Sequence, residues 1–209
     1  MKRILKQTAL LLALLLVLAA FSSCRKQEEL AETNETRAAY TPEQVLSCVR
    51  LDTYTGLSVM LETADSQKGE AIWQAVLVRA EILSYPEEQV EYYAKQSRAR
   101  YRYLAEKAGV SYEELLRELG VSEETILAEA RDMVKGDLVY RYIVQDAGIA
   151  LTEAEKATLF DRYADKYVSD YGYTKEYVSE NLREHVYDSM LYDKTMQYLI
   201  DRNTFTVSA

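Results

Sequence analysis

Few side chains in this sequence could carry covalent or metal chemistry. His185 is the single histidine, and Cys24 and Cys48 are the two cysteines. A metal site usually takes several imidazole or thiolate ligands, and a nucleophilic serine or cysteine needs a base beside it. The sequence also lacks the G-x-S-x-G motif, the phosphate-binding loop motif and the dinucleotide-binding glycine motif. The pattern therefore predicts no catalytic residue, no metal and no cofactor.

The remaining reactive groups favour structural roles. His185 falls on the apolar stripe of the last predicted helix, so we expect a part-buried histidine with its polar atoms satisfied. The many carboxylates fall on the polar sides of helices, which indicates solvated faces. Cys48 has no disulfide partner in the chain if Cys24 is modified. We expect Cys48 to be a small, buried or half-buried hydrophobic residue, with a reactive thiol as the alternative.

The first 23 residues have the order of a secretory signal. A positive start (MKR, 1–3) precedes an unbroken apolar run at 9–21 and the small residues Ser22 and Ser23. The run has thirteen residues, and a membrane-spanning helix needs roughly 20. The segment FSSC (21–24) resembles a bacterial lipobox, in which the cysteine takes a diacylglyceryl group, although phenylalanine stands where leucine is usual. The sequence predicts lipidation of Cys24 and a membrane-anchored bacterial lipoprotein on the extracytoplasmic side, with ordinary cleavage and release as the alternative.

Composition limits the partners and the fold class. Without Lys2, Arg3 and Lys6 the chain holds 22 basic and 34 acidic residues, a net charge of −12. Such a charge argues against nucleic acid as a partner and against a patch that grips anionic lipid. Two prolines and seven glycines provide little turn material, which favours long helices over a many-stranded fold. Eighteen tyrosines against three phenylalanines suit half-buried surfaces that bind partners.

The order of local patterns predicts four segments along the chain. Residues 1–23 form the signal, and residues 24–47 are polar and aperiodic, which is typical of a flexible tether. Residues 48–69 contain an alternation at Leu57, Val59 and Leu61 that predicts a short half-buried strand in a linker segment. Residues 70–209 show helical periodicity to the end and form the predicted helical domain.

Helix boundaries in that domain follow from local signals. Pro86 stands at the first turn of a long helix that ends at Gly109, and the residues from Thr152 to Glu155 have capping-box spacing. The apolar stripes repeat at helical spacing and predict one packing face per helix. The long helix has its stripe at Val90, Ala94, Ser97, Tyr101, Leu104 and Ala108. A single last helix, capped by Thr174, has its stripe at Val178, Leu182, His185, Ser189, Tyr192, Met196 and Ile200.

Several segments, taken in order, resemble the C-terminal domain of trigger factor. Ala80–Glu91 is similar to the entry into the long arm helix of that family, and Gly109–Leu116 to the G-x-S-x-E-E-x-L segment that follows the arm. Arg131–Glu155 resembles the return helix with its G-I-x-V-T-E-E-E turn, and Tyr171–Glu176 the Y-G-x-S-x-E turn before the last helix. Leu51–Val59 is more thinly similar to the L-G-D-Y-K-G-L-E-V segment before the isomerase module. The resemblance covers about Ile72 to Val207.

The resemblance implies an all-α, extended helical chaperone domain with long arm helices, plus a short N-terminal β segment. Extracytoplasmic foldases have similar helical bodies. The sequence departs from trigger factor at its N-terminus, where a secretion signal replaces the ribosome-docking domain. Between Leu61 and Ala71 only nine residues stand where that family carries its prolyl-isomerase domain. The resemblance therefore implies the chaperone body without the ribosome-binding and isomerase domains, and we expect the protein not to be an enzyme.

The long arm helix offers candidates for a client-binding surface. Counted at about 100° per residue from Val90, Tyr92 and Tyr103 lie at about 200° and 220°, opposite the packing stripe, and Tyr93 flanks that face. We expect Tyr92, Tyr93 and Tyr103 to contact apolar segments of unfolded clients. The alternative is that this face packs on another part of the same chain. Weaker candidates are Tyr140, Tyr142, Tyr173 and Tyr177.

The resemblance implies an ATP-independent chaperone. Its partners would be unfolded or newly exported polypeptides, held by apolar contact, and the membrane, through the lipid at Cys24. One alternative is a lipoprotein scaffold that binds a single dedicated partner. The other, less favoured, alternative is a peptidyl-prolyl isomerase.

Overall fold

The computed structural model describes residues 39–63 and 67–207, which are mostly helical with a few short strands. The predicted all-α class is therefore confirmed. The eight helices of the described residues are α1 (Pro42–Cys48), α2 (Lys68–Arg79), α3 (Glu87–Ala108), α4 (Tyr112–Leu119), α5 (Glu123–Asp146), α6 (Glu153–Tyr171), α7 (Lys175–Asn181) and α8 (Arg183–Asp201). The four strands are β1 (Val49–Arg50), β2 (Ser58–Leu61), β3 (Glu81–Ile82) and β4 (Thr204–Val207).

Short polar residues and glycines set the helix ends. The Ser111 side chain accepts a hydrogen bond from the Glu114 backbone N–H and starts α4. Thr152 and Glu155 form the predicted capping box at α6. Gly109 ends α3 in the left-handed region at φ +66°, a conformation that side chains with a Cβ rarely adopt. The sequence signals thus predict the end of α3 and the starts of α4 and α6 where the structure has them.

The first hydrophobic core forms around α3 and α5, the most extensive helix pair. Small residues on α3, Ala94 and Ser97 among them, are buried and let α5 approach closely. The facing side of α5 buries the apolar residues Ile126, Ala130, Val134, Leu138 and Ile143, each fully inaccessible to solvent. Val90, Ala94, Ser97 and Tyr101 are buried as predicted, whereas Ala105 takes the place of Leu104 and Ala108, which are half-buried.

Two small strand pairs close the first core. β1 pairs antiparallel with β3, so that Val49 lies opposite Ile82. β2 pairs in parallel with β4, with Ser58 opposite Thr204. The predicted strand alternation is confirmed in β2, which buries one face and exposes the other. The strand β4 was not expected in the range 70–209, because its four residues gain their pairing only from a strand nearly 150 positions earlier.

A second, smaller core lies at the other end of the molecule. It contains buried residues of α6, α7 and the first half of α8, namely Tyr163, Ala164, Val178, Val186 and Met190. The second half of α8 returns to the first core, where Leu199 is fully buried beside α2. We call the unit made of α6, α7 and the first half of α8 the arm, and the part around the first core the body. The long arm helix of the sequence analysis is α3, which lies in the body and not in this arm.

Three sequence expectations are corrected by the structure. The predicted tether (24–47) ends earlier than expected, because Thr41 and Gln44 form a capping box that starts α1, and α1 packs on α5. The last helix is not continuous: Leu182, at φ −118° and ψ 13°, separates α7 from α8. This break shifts the buried face of α8, so that His185 is exposed and is not the part-buried histidine that the stripe predicts.

Candidate functional site

An aromatic groove of about 650 Å³ lies between body and arm, where α1, α2, α3 and α5 meet the first half of α8. Its volume falls within the range of about 300–1,000 Å³ that is usual for binding pockets in proteins. Its wall includes five aromatic side chains and one methionine that is 40% exposed. These six residues, which we call the aromatic groove set, are Tyr40, Trp73, Tyr93, Met133, Tyr140 and Tyr192.

One residue that lines the groove, Gly136, has no side chain. Gly136 of α5 lines the groove, and a Cβ placed there would lie 4.0 Å from Cζ2 of Trp73. This is an ordinary van der Waals contact, so an alanine would fit without moving the tryptophan. Any longer side chain at position 136 would project into the space between α2 and α5. The missing side chain therefore keeps the groove open beside Trp73.

The groove wall also carries charged side chains, namely Asp137, Arg141 and Asp188. Arg141 Nε lies 3.1 Å from Asp137 Oδ1, and the Arg141 guanidinium stacks 5.2 Å from the Tyr40 ring centroid. The Tyr140 ring lies 5.7 Å from the Tyr192 ring. Burial, aided by the negative charge of Asp188, raises the pKa of Tyr140 to about 12, so this hydroxyl stays neutral at physiological pH. The groove thus combines ring faces with the Asp137–Arg141 ion pair and the carboxylate of Asp188.

A second groove of about 290 Å³ lies between α6 and α8, and Tyr192 lines both grooves. Hydroxyl contacts fix its tyrosine rings. The Tyr163 hydroxyl donates to Asp193 Oδ2 at 2.7 Å, and the Tyr167 hydroxyl donates to the His185 carbonyl at 3.1 Å. Since the rings are held by their hydroxyls, they present their faces at little further entropic cost.

A row of touching tyrosine rings continues from the second groove to the tip of the arm. Tyr171 lies 5.6 Å from Tyr167 and 6.1 Å from Tyr173, and Tyr173 stacks on Tyr177 at 5.2 Å. Tyr171 is 38% exposed and Tyr177 46% exposed. Contiguous exposed aromatic surface of this kind marks sites of interaction in soluble proteins.

The structure brings together two of the three tyrosines predicted on the arm helix. Tyr92 and Tyr93 touch edge to face, with ring centroids 5.4 Å apart, and Tyr93 lines the groove. Tyr103 is three turns further along α3 and is not among the residues that line the groove. Lys107 Nζ lies over the Tyr103 ring, 5.0 Å from its centroid. Tyr93 also packs partly on the first core, in line with the alternative that this face meets the same chain. The predicted lipidation site, Cys24, lies outside the described residues.

Of the four weaker tyrosine candidates, one lines the groove, two lie on the arm and one packs on the first core. Tyr140 belongs to the groove, and Tyr173 and Tyr177 form the stacked pair at the arm tip, whereas Tyr142 is half-buried against the first core. Sequence reasoning missed four residues of the aromatic groove set, Tyr40, Trp73, Met133 and Tyr192. Tyr192 had been placed on a packing stripe, and its 43% exposure follows from the shifted face of α8. The single tryptophan beside the buried stripe of α2 was the one signal that could have directed attention to Trp73.

The described residues hold no group of side chains suited to a metal ion, and none of their helices is long and apolar enough to cross a membrane. Cys48 is buried, as expected, with its sulfur 3.4 Å from Ser84 Oγ. The exposed His185 has no cysteine or serine nucleophile activated by it: Ser189 Oγ donates to its backbone carbonyl. The arrangement is suited to reversible, non-covalent contact with apolar chain segments.

Comparison with known proteins identifies the family. The profile described as "Bacterial trigger factor protein (TF) C-terminus" matches residues 60–201, about two thirds of the chain. The chain therefore belongs to the trigger factor C-terminal domain family, and this membership indicates a chaperone-like, protein-binding role. The match begins at residue 60, so the thinner resemblance at Leu51–Val59 stays a prediction.

One solved structure is similar over most of both chains. It is the crystal structure of the hypothetical Mycoplasma protein MPN555, with 17% sequence identity, a TM-score of 0.37, and coverage of 78% of this chain and 99% of that chain. No curated protein matches the sequence.

Proposed function

We propose that this protein is an ATP-independent chaperone that holds unfolded or newly exported polypeptides on the extracytoplasmic side of a bacterial membrane. The observation that carries the proposal is the aromatic groove, an open apolar surface in a chain of the trigger factor C-terminal domain family. Ring faces and a methionine accept many apolar sequences, because their contacts do not depend on one hydrogen-bond pattern.

Several tyrosines extend the proposed contact surface beyond the groove. Tyr92 continues it along α3 beside Tyr93, and Tyr192 leads from it into the second groove. Tyr103 would make a separate contact further along the arm helix. The tyrosine hydroxyl groups keep these surfaces hydrated when no client is bound. The net negative charge of the protein opposes its self-association.

The membrane location rests on the sequence of residues 1–24. In this proposal the signal is removed, Cys24 carries the lipid, and the residues between Cys24 and Tyr40 connect the anchor to the groove, which Tyr40 itself lines. Two or more acyl chains anchor a protein stably, where a single chain would be marginal. Mass spectrometry of the protein isolated from bacterial membranes tests this part: a diacylglyceryl group on Cys24 is expected, and an N-terminus without lipid would contradict it.

We further propose that the protein holds clients without catalysing prolyl isomerisation. The family match covers the C-terminal domain, and β2 is followed by α2 after a short segment in which no isomerase module could be placed. A refolding reaction limited by proline isomerisation should show the same rate with and without residues 25–209. A rate that rises with protein concentration at catalytic amounts would contradict this.

Aggregation of a chemically unfolded test protein provides the functional test. Followed by light scattering without ATP, residues 25–209 should suppress aggregation of several unrelated clients at near-stoichiometric ratios. Suppression that is absent with every client would refute the chaperone function and favour a lipoprotein with one dedicated partner.

A matched pair of variants links that activity to the groove. Gly136→Leu should fill the groove beside Trp73 and weaken suppression, whereas Gly136→Ala should leave it unchanged, because its Cβ meets Trp73 at an ordinary 4.0 Å. Alanine also favours a helix interior over glycine by about 1 kcal/mol, so Gly136→Ala should be at least as stable as the parent. The melting temperature of Gly136→Leu is measured alongside, so that a loss of suppression is assigned to the groove only in a folded variant. Suppression by a folded Gly136→Leu variant that equals that of the parent and of Gly136→Ala would exclude the groove as the client site.

A further inference from the structure

The helix α8 changes partners halfway along its length. Val186 and Met190 are buried in the core of the arm, and Leu199 is buried in the core of the body. Met190 and Leu199 are nine positions apart, which at about 100° per residue places them on opposite sides of the helix. The helix must therefore leave one core and enter the other between these two residues.

The segment of α8 between the two cores is locally weakened. The fully buried Thr195 donates its hydroxyl to the carbonyl oxygen of Leu191 at 2.8 Å. A threonine that bonds back to the preceding turn slightly destabilises a helix and often bends it. Leu191 and Tyr192 lie in this same segment and line the aromatic groove. A change of bend here would move one wall of the groove.

Lys194 ties this segment to the first turn of α6, in addition to the hydrogen bond between Asp193 and Tyr163 further along α6. Lys194 Nζ donates to the Ala150 carbonyl at 2.8 Å and to the two carboxylate oxygens of Glu155 at 2.6 and 2.8 Å. Glu155 also accepts from the backbone N–H of Thr152 at 2.7 Å and from its hydroxyl at 2.9 Å. Lys194 thus joins α8, the turn before α6 and the first turn of α6.

We propose that Leu191–Thr195 is a hinge between arm and body, and that Lys194 is the latch that holds it. With the latch made, the arm keeps one position relative to the body, and Leu191 and Tyr192 hold the groove at its present width. With the latch broken, the arm samples several positions and the groove varies in width. The role given to the groove here rests on the proposed function, whereas the hinge itself does not.

Distances between spin labels on the arm and the body test the hinge directly. In residues 25–209 with Cys48→Ala, labels at Glu176→Cys on α7 and Glu118→Cys on α4 report the arm position. Lys194→Met and Glu155→Gln should each broaden the distance distribution to a similar extent, and the double variant should add nothing further. Lys156→Met is the matched control, since the contacts of Lys156 with Glu153 and with the Tyr187 ring both lie within the arm. Its distance distribution should equal that of the parent.

Thr195→Val provides a variant with the opposite expected effect. Valine keeps the shape of the buried side chain and removes the hydrogen bond to Leu191, so the hinge should stiffen and the distribution should narrow. A distance distribution equal to that of the parent in both Lys194→Met and Thr195→Val would overturn the proposal. If one of the two variants does not fold, an unchanged distribution in the other is sufficient to overturn it.

A measurement of client affinity distinguishes failure of the hinge proposal from failure of the function proposed above. Affinity for an unfolded test protein should fall about fivefold or more in Lys194→Met, the lower end of typical coupling between distant sites. An unchanged affinity together with a broadened distribution would retain the hinge and overturn its link to the groove. Absence of binding in the parent protein as well would refute the proposed function, while the distance distributions would still decide the hinge.

Discussion

Replacing Asn203 with alanine should remove the connection between the N-terminal strand segment and the end of α8. The Asn203 side chain accepts from the Leu57 backbone N–H at 2.7 Å and donates to the carbonyl oxygens of Tyr54 and Leu199 at 3.1 and 2.6 Å. These contacts join positions nearly 150 residues apart. They also place Thr204 where β4 can begin to pair with β2.

The expected loss follows from the three hydrogen bonds. Each contributes about 0.5–1.5 kcal/mol net, and a part-buried donor left without a partner costs more. We therefore expect Asn203→Ala to lower the free energy of unfolding by about 2 to 4 kcal/mol. For a chain of this size the urea slope is about 2 kcal/mol/M, so the unfolding midpoint should fall by about 1 to 2 M.

Urea unfolding followed by circular dichroism measures this change, with Asn181→Ala as the control. Asn181 is exposed and makes a single hydrogen bond, to the Tyr177 carbonyl at 3.2 Å. Its replacement should cost less than about 0.5 kcal/mol, as is usual for surface positions. A midpoint for Asn203→Ala that equals that of Asn181→Ala would refute the role given to Asn203 in joining the two ends of the chain.

Two further predictions concern the core and the root of the arm. Leu138→Ala should destabilise the protein by about 3 kcal/mol, because the side chain is fully buried in the first core. Leu46→Ala, at a position 51% exposed, should change the unfolding midpoint little. Hydrogen bonds from Lys194 and Thr152 lower the pKa of Glu155 to about 2. Because a lowered carboxyl pKa stabilises the folded state when ionised, the difference in melting temperature between the parent and Glu155→Gln should be constant above pH 5 and vanish as the pH falls to about 2. A difference that grows on acidification would contradict this assignment.

Local signals in the sequence were sufficient for the helices, because their ends depend on neighbouring residues. Ser111, Thr152 and Gly109 act within one turn of the chain, and the structure places helix ends at each of them. The stripe on α3 was predicted because that helix packs against one main partner. The strand β4 and the pairing of β1 with β3 were not predictable in this way, since their partners are distant in sequence.

For the groove too, the sequence predicted what depends on neighbouring residues and missed what depends on tertiary packing. Periodicity placed Tyr93 beside the face of α3 that lies opposite the packing stripe, and in the structure Tyr93 lines the groove. Tyr192 could not be recognised from the sequence, because the break at Leu182 and the passage of α8 between two cores change which face is buried. The meeting of Trp73, Tyr140 and Tyr192 depends on the packing of three helices that no short-range signal specifies.

The most direct test of the central claim uses the single tryptophan of the chain, Trp73, as a reporter in the groove. An unfolded client without tryptophan is titrated into residues 25–209 while the emission of Trp73 is recorded. Because the client would exclude water from the ring, the account predicts a saturable blue shift with the same midpoint as client binding measured by anisotropy. Client binding that leaves the emission of Trp73 unchanged would contradict the claim that the aromatic groove holds the client.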